Sequence, residues 1–143
     1  MSATYESDVV AWANEQAALL RAGNFSALDI EHIADEVDDV GKSEKRELAS
    51  RMAVLIAHLL KWRAQGASRG ANWEVTIKIQ RRAVATHLKD APSLKATLRD
   101  DRWFSSVWGD AVDHAMKETG VADFPEACPW PMDQILDPNF LPG

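Results

Sequence analysis

Four histidines, twenty-two carboxylates and one cysteine are the residues of this 143-residue chain with the clearest capacity for chemistry. The histidines fall about one to each expected helix, and three have acids at helical spacing: His32 with Asp29 and Glu36, His87 with Asp90, and His114 with Asp110 and Glu118. Di-iron and di-manganese bundles aim Glu-x-x-His motifs inward from facing helices. No Glu-x-x-His occurs here, and Asp29-x-x-His32 is the nearest relative. His32 also falls more than about 100° from the Ile30, Ile33, Val37 line on a helical wheel, which predicts a solvent-facing ring. No metal site and no cofactor are expected. Cys128 sits among prolines without an adjacent base, and a structural role is expected of it. There is no Gly-x-Ser-x-Gly, phosphate-loop or dinucleotide-binding pattern.

His58 poses a sharper question. It stands in "MAVLIAHLL" (52–60), among eight apolar residues. Glu47, Arg51 and His58 follow one another at steps of four and seven, along one border of the apolar stripe of their helix. Glu36 holds a similar border position on the helix before it. If the two helices pack as neighbours, Glu36 meets His58 or Arg51. A buried imidazole must find a polar partner. A carboxylate would favour its protonated form, and burial would oppose that. The polar cluster Glu36, Arg51 and His58 is therefore the candidate site. A core histidine that orients helices is the preferred reading, and a catalytic one comes second.

The elements that would position these residues are helical. Val9, Trp12, Ala13, Gln16, Ala17 and Leu20 show three-four spacing. "RAGNF" ends that run, with Gly23 suited to a left-handed position. Ser26 is an acceptable cap for a second helix along Ile30, Ile33, Val37 and Val40. A third helix over about 43–65 carries Leu48, Met52, Leu55, Leu59 and Trp62, and is apolar almost all round, as a central helix is. Glycine followed by Ser and Glu favours a break at Gly41, although the two stripes are nearly in phase. "QGASRGAN" predicts a loop with Asn72 as cap. Trp73, Ile77, Val84 and Leu88 then share one face, with Lys78, Arg81, Arg82 and Lys89 elsewhere. Ser93 opens a stretch to Thr119, kinked or divided near Asp100–Trp103 and closed by Gly120. The tail holds five prolines, room for a helical turn at 132–136, and Trp130, Leu136 and Phe140 to bury. The fold class is all-α: an up-and-down bundle of four to five helices with a Pro-rich, mostly irregular C-terminal tail. Residues 1–143 form one domain, with the tail 121–143 packed on the bundle.

Charge is unevenly distributed. Residues 1–41 hold nine acids against Arg21 alone, residues 42–89 hold eleven of the sixteen Lys and Arg against three acids, and residues 90–143 hold ten acids and four bases. The blocks carry net charges of −8, +8 and −6. Acidic and basic elements packed within one domain, or an outside partner, would account for this. The basic 61–82 region, with Trp62 and Trp73, offers a nucleic-acid alternative, but the overall net charge of −6 disfavours it. The start of the chain lacks a signal-peptide pattern and the apolar run is too short for a bilayer, so a cytoplasmic protein with no membrane contact is expected.

Several stretches resemble a bacterial family catalogued only as domain of unknown function 29: "AWANEQAALLRAGNFSALDIEHIADEVDDVGKSEKRELASRMAVLIAHLLKW", "WEVTIKIQRR", "DAPSLK", "ETG", "FPEACPW" and "QILDPNFLP". The resemblance spans nearly the whole chain. It implies an all-helical bundle and brings no activity, cofactor or catalytic residue. Pro131 departs from the Ser or Thr expected before the final helical turn. By elimination, a small helical protein without catalysis is expected, acting through self-association or a protein partner. The alternatives are an enzyme, metal-dependent or not, near Glu36, Arg51 and His58, and a nucleic-acid binder.

Overall fold

The computed structural model describes residues 4–66 and 70–143. Among them are six α-helices, four of them long, and no strand. They are α1 (Val9–Arg21), α2 (Ile30–Gln65), α3 (Ala71–Asp90), α4 (Leu94–Leu98), α5 (Asp101–Thr119) and α6 (Met132–Leu136), with a 3-10 turn at Phe25–Ala27. The chain divides into two compact units, one ending at Ser43 and one starting at Glu44.

Local chemistry explains most of the boundaries. Asp8 caps α1 by accepting from the Ala11 N–H at 3.1 Å, and Gly23 follows the helix with φ +74°, as the pattern required. The cap of α2 is Asp29 and not Ser26: its side chain accepts from the His32 N–H and its carbonyl from Ile33. Ser26 is consumed by the 3-10 turn. The expected break at Gly41 is absent. Gly41 keeps an ordinary negative φ, so α2 runs unbroken for 36 residues. A glycine weakens a helix without breaking it so long as its backbone stays helical, and Gly41 does. The α3 helix starts at Ala71 behind Gly70, one residue before the expected Asn72 cap. The α4/α5 division falls at Asp100, whose carboxylate accepts from Arg102 and Trp103, and Gly120 closes α5 at φ +72°.

In the unit up to Ser43, Trp12 is the one buried apolar residue among those described. Hydrogen bonds do much of the joining. Trp12 Nε1 donates to Asp29 at 2.9 Å, and the Asp29 N–H donates to the buried Gln16 side chain at 2.8 Å. The Asp29 carboxylate also meets His32 Nδ1 at 2.7 Å. Tyr5 stacks on His32 with ring centroids 4.2 Å apart. His32 is thus partly buried (28 % exposed), not turned to solvent as the wheel predicted.

The unit from Glu44 onward has a conventional apolar core. The α2 stripe Leu48, Met52, Leu55 and Leu59 is fully buried and joined by Ile77 and Val84 of α3, Leu94 of α4, Val107 and Ala111 of α5, and Trp130 and Ile135. Ile135, not Leu136, is the fully buried residue of α6; Leu136 and Phe140 are partly buried against the core. Arg81 is also buried. It sits within about 40° of Ile77 on the α3 wheel, and its guanidinium donates to the carbonyls of Ile135 (2.8 Å) and Gln134 (3.4 Å). Both carbonyls lie in the last turn of α6; the Gln134 carbonyl also accepts from the Asp137 N–H at 3.2 Å, and a cation suits the C-terminal end of a helix.

Two stability measurements follow. Nothing lies within 4 Å of a Cβ placed on Gly41, so Gly41→Ala should stabilise the protein by about 0.5–1 kcal/mol in urea denaturation. A helix broken at Gly41 would give the opposite sign. Arg81→Ala removes the donor to the Ile135 carbonyl and should cost about 1–3 kcal/mol by the same assay.

Candidate functional site

Glu36, Arg51 and His58 each meet a different partner, and the helix break that would have let Glu36 pack beside the other two is not there. Glu36 accepts from the Tyr5 hydroxyl at 2.5 Å, and that bond pushes the Tyr5 pKa up to about 12. Arg51 donates to Glu47 Oε1 at 3.0 Å, one turn back on α2. His58 is buried, and its Nδ1–H donates to the Val54 carbonyl at 2.8 Å.

With Nδ1 protonated, Nε2 of a neutral His58 ring is the acceptor, and Lys61 Nζ lies 3.4 Å from it. Lys61 is itself 2 % exposed. Its ammonium pairs with Glu118 of α5 and lies 5.1 Å from the centre of the Trp73 ring. His114 Nε2 meets the other Glu118 oxygen at 3.0 Å, and the His114 ring is 6.4 Å from that of His58. The Lys61 hydrogen bond holds the Glu118 carboxyl below the usual range. Burial lowers the His58 pKa first, and the Lys61 charge adds to this against the bond to Val54. The His58 imidazole is therefore held neutral. Each member of this cluster has a partner, which describes a satisfied polar core that joins α2, α3 and α5.

A second constellation is open. Glu44 and Glu47, three residues apart on α2, face His87 near the end of α3. His87 Nε2 is 2.5 Å from Glu44 Oε2 and 3.7 Å from Glu47 Oε2, and its side chain is 10 % exposed. One ligand-type atom from each of the three lies within 4.8 Å of the others. They line a groove of about 790 Å³ with Arg51, Arg82 and Asp90. Spacing alone matches His87 to Asp90; in the structure its partner is Glu44. The usable signal was the phase of Glu44, four residues before Leu48 on the main α2 stripe. The pairing with α3, forty-three residues on, left no local trace. Arg51, placed in the candidate cluster by its wheel position, does border this groove, whereas Glu36 and His58 do not line it.

Cys128 is half-buried, its thiol contacts the Trp130 carbonyl at 3.4 Å, and burial raises its pKa. Those features describe an unreactive thiol. In the basic region Lys61 and Arg81 are both consumed inside the protein, while Arg63, Lys78 and Arg82 are exposed. Arg69 lies outside the described residues. No helix among the described residues is long and apolar enough to cross a membrane.

The family model described as "Domain of unknown function DUF29" matches residues 4–141. The chain belongs to this family. Searches of curated proteins and of solved structures found no match. Membership in DUF29 assigns no role to any residue of this chain.

The His58 environment makes the stability of this DUF29 member pH-dependent in a defined direction. The groups facing His58 are Lys61, Glu118 and His114. Because its folded pKa is lowered from 6.5, the unfolded state binds the extra proton more readily, and stability falls as pH drops below about 6.5 toward the folded value. Urea denaturation at pH 7.5 and 5.0 should show a smaller acid loss for His58→Leu than for wild type. An equal loss would mean that His58 does not carry the effect.

Proposed function

We propose that this DUF29 member is a non-catalytic, cytoplasmic protein that works by protein contact, with a second copy of itself as the partner. The reading takes the chain as one functional domain whose helices form an up-and-down bundle, with the Pro-rich tail laid on it. The observation that carries it is the distribution of exposed apolar residues. Of the ten large ones among the described residues, seven, Val9, Val10, Leu20, Phe25, Ile30, Val37 and Val40, precede Ser43. Exposed apolar residues gathered in this way mark interaction surfaces more often than isolated ones do.

The contact surface is the start of α2. Ile30, Val37 and Val40 are each 66–69 % exposed and, with Ile33, fall on one side of the helix at alternating spacings of three and four. Asp35, Asp38 and Asp39 are exposed on the same segment. Two such acidic surfaces would repel if placed face to face. The α3 face carrying Val75 (53 % exposed) and Ile79 (55 % exposed), flanked by exposed Lys78 and Arg82, supplies the matching apolar and positive surface. A two-fold dimer makes this contact twice, the acidic face of each copy meeting the basic face of the other.

Light scattering on the purified protein should give a dimer at low salt that weakens as salt is raised, because much of the pairing is between surface charges. Val37→Lys should yield a monomer of unchanged helicity by circular dichroism. A wild-type monomer at every concentration and salt overturns the proposal, as does a dimer indifferent to Val37→Lys.

A further inference from the structure

We propose that Glu44, Glu47 and His87 hold one divalent transition-metal ion, Zn²⁺ by preference, with its remaining coordination positions open to the groove. Three features of the structure support this, and none depends on how the protein associates.

The first is the donor set and its span. Two carboxylate oxygens and one imidazole nitrogen come from two different helices and lie within 4.8 Å of one another. Ligands about 2.0–2.2 Å from a shared zinc ion stand roughly 3–4 Å apart, so the 3.7 Å between His87 and Glu47 already fits. The 2.5 Å between His87 and Glu44 is a hydrogen-bond contact, and an ion between them requires the two atoms to separate by roughly 1 Å. Mixed oxygen and imidazole donors suit zinc and its neighbours in the transition series, whereas magnesium and calcium favour oxygen throughout. Two ionised carboxylates would balance the charge of the ion.

The second is the way Glu47 is held. Its Oε1 accepts from Arg51 at 3.0 Å, which turns Oε2 toward His87. One carboxylate oxygen toward an ion and the other on a fixed donor is the usual outer-shell arrangement of a carboxylate ligand. Arg51 is in this sense a positioning residue.

The third is burial combined with access. The His87 side chain is nine-tenths buried, so packing holds its ring with Nε2 facing the two acids. Its other nitrogen, Nδ1, is buried and has no hydrogen-bond partner. The groove of about 790 Å³ gives solvent and small molecules a route to the open side, and Arg82 on its wall would attract an anionic ligand. Three protein ligands leave a zinc ion a position for an exchangeable water or anion, which a closed four-ligand site does not.

The test is calorimetric titration of the metal-stripped protein with ZnCl₂ at pH 7.5, and with MgCl₂ as control. Expected is one Zn²⁺ per chain with a rise in Tm, and no saturable response to Mg²⁺. Glu47→Gln and His87→Ala should weaken Zn²⁺ by more than the ~10–100-fold that outer-shell changes cause, and Arg51→Ala should fall within that range. Should His87→Ala fail to fold by circular dichroism, the pair Glu44→Gln/Glu47→Gln on the exposed side of the groove replaces it. No stoichiometric Zn²⁺ in the wild type, or Zn²⁺ retained at full affinity in the glutamate variants, overturns the proposal. Loss of the dimer with Zn²⁺ binding intact would count against self-association alone.

Discussion

A helix segment enclosed on all sides cannot leave a polar atom to water, and residues 55–61 of α2 form such a segment. Every one of them is buried, including His58 and Lys61. The surrounding helices must therefore supply both apolar contact and polar partners. The α5 helix supplies Glu118 for the Lys61 ammonium, and α3 supplies the Trp73 ring. The preceding turn supplies the Val54 carbonyl for His58. An apolar helix could slide or rotate against its neighbours at small cost. A buried ammonium that must meet one carboxylate has far fewer acceptable registers, as single buried polar groups do in coiled coils.

The two compact units meet the burial problem differently. From Glu44 onward the core is apolar, with a few polar contacts inside it. Up to Ser43, Trp12, Gln16, Asp29, His32, Tyr5 and Glu36 are linked by hydrogen bonds and ring stacking. Such a network is directional but removes little apolar surface from water, and the hydrophobic term grows with area. The exposed valines and isoleucine of that unit are the counterpart of its polar interior.

Much of the fold was legible because it depends on local pattern. Leu48, Met52, Leu55 and Leu59 repeat at helical spacing and are fully buried. Gly23, Gly120 and the Asp100 division followed from backbone chemistry, as did the turn at 132–136. Gly41 was harder: the residues after it signal a stop, but its backbone stays helical and α2 continues through it. The candidate site was less legible. Arg51 was found from its wheel position, but its partner is Glu47 on its own helix. The contacts of Glu44 with His87 and of Lys61 with Glu118 link residues 43 and 57 apart, and periodicity carries no information on which helices meet. Arg81 shows another limit. Its type argued for solvent although its phase matched Ile77 and Val84, and the α6 carbonyls that make burial tolerable are 53 and 54 residues away.

The grip of Arg81 on α6 also bears on the order of assembly during synthesis. Helices α2 to α5 can form as they leave the ribosome, since their backbone bonds close over a few residues. Their shared core cannot be sealed at that stage, because Ile135 fills part of it and Arg81 waits for the carbonyls of α6. Until those residues emerge, the nascent chain carries a charged guanidinium beside an uncovered apolar surface. Sealing is thus a late, non-local event, slow by the standard of helix formation. Over that interval the half-made protein is most exposed to wrong partners and most suited to capture by a chaperone.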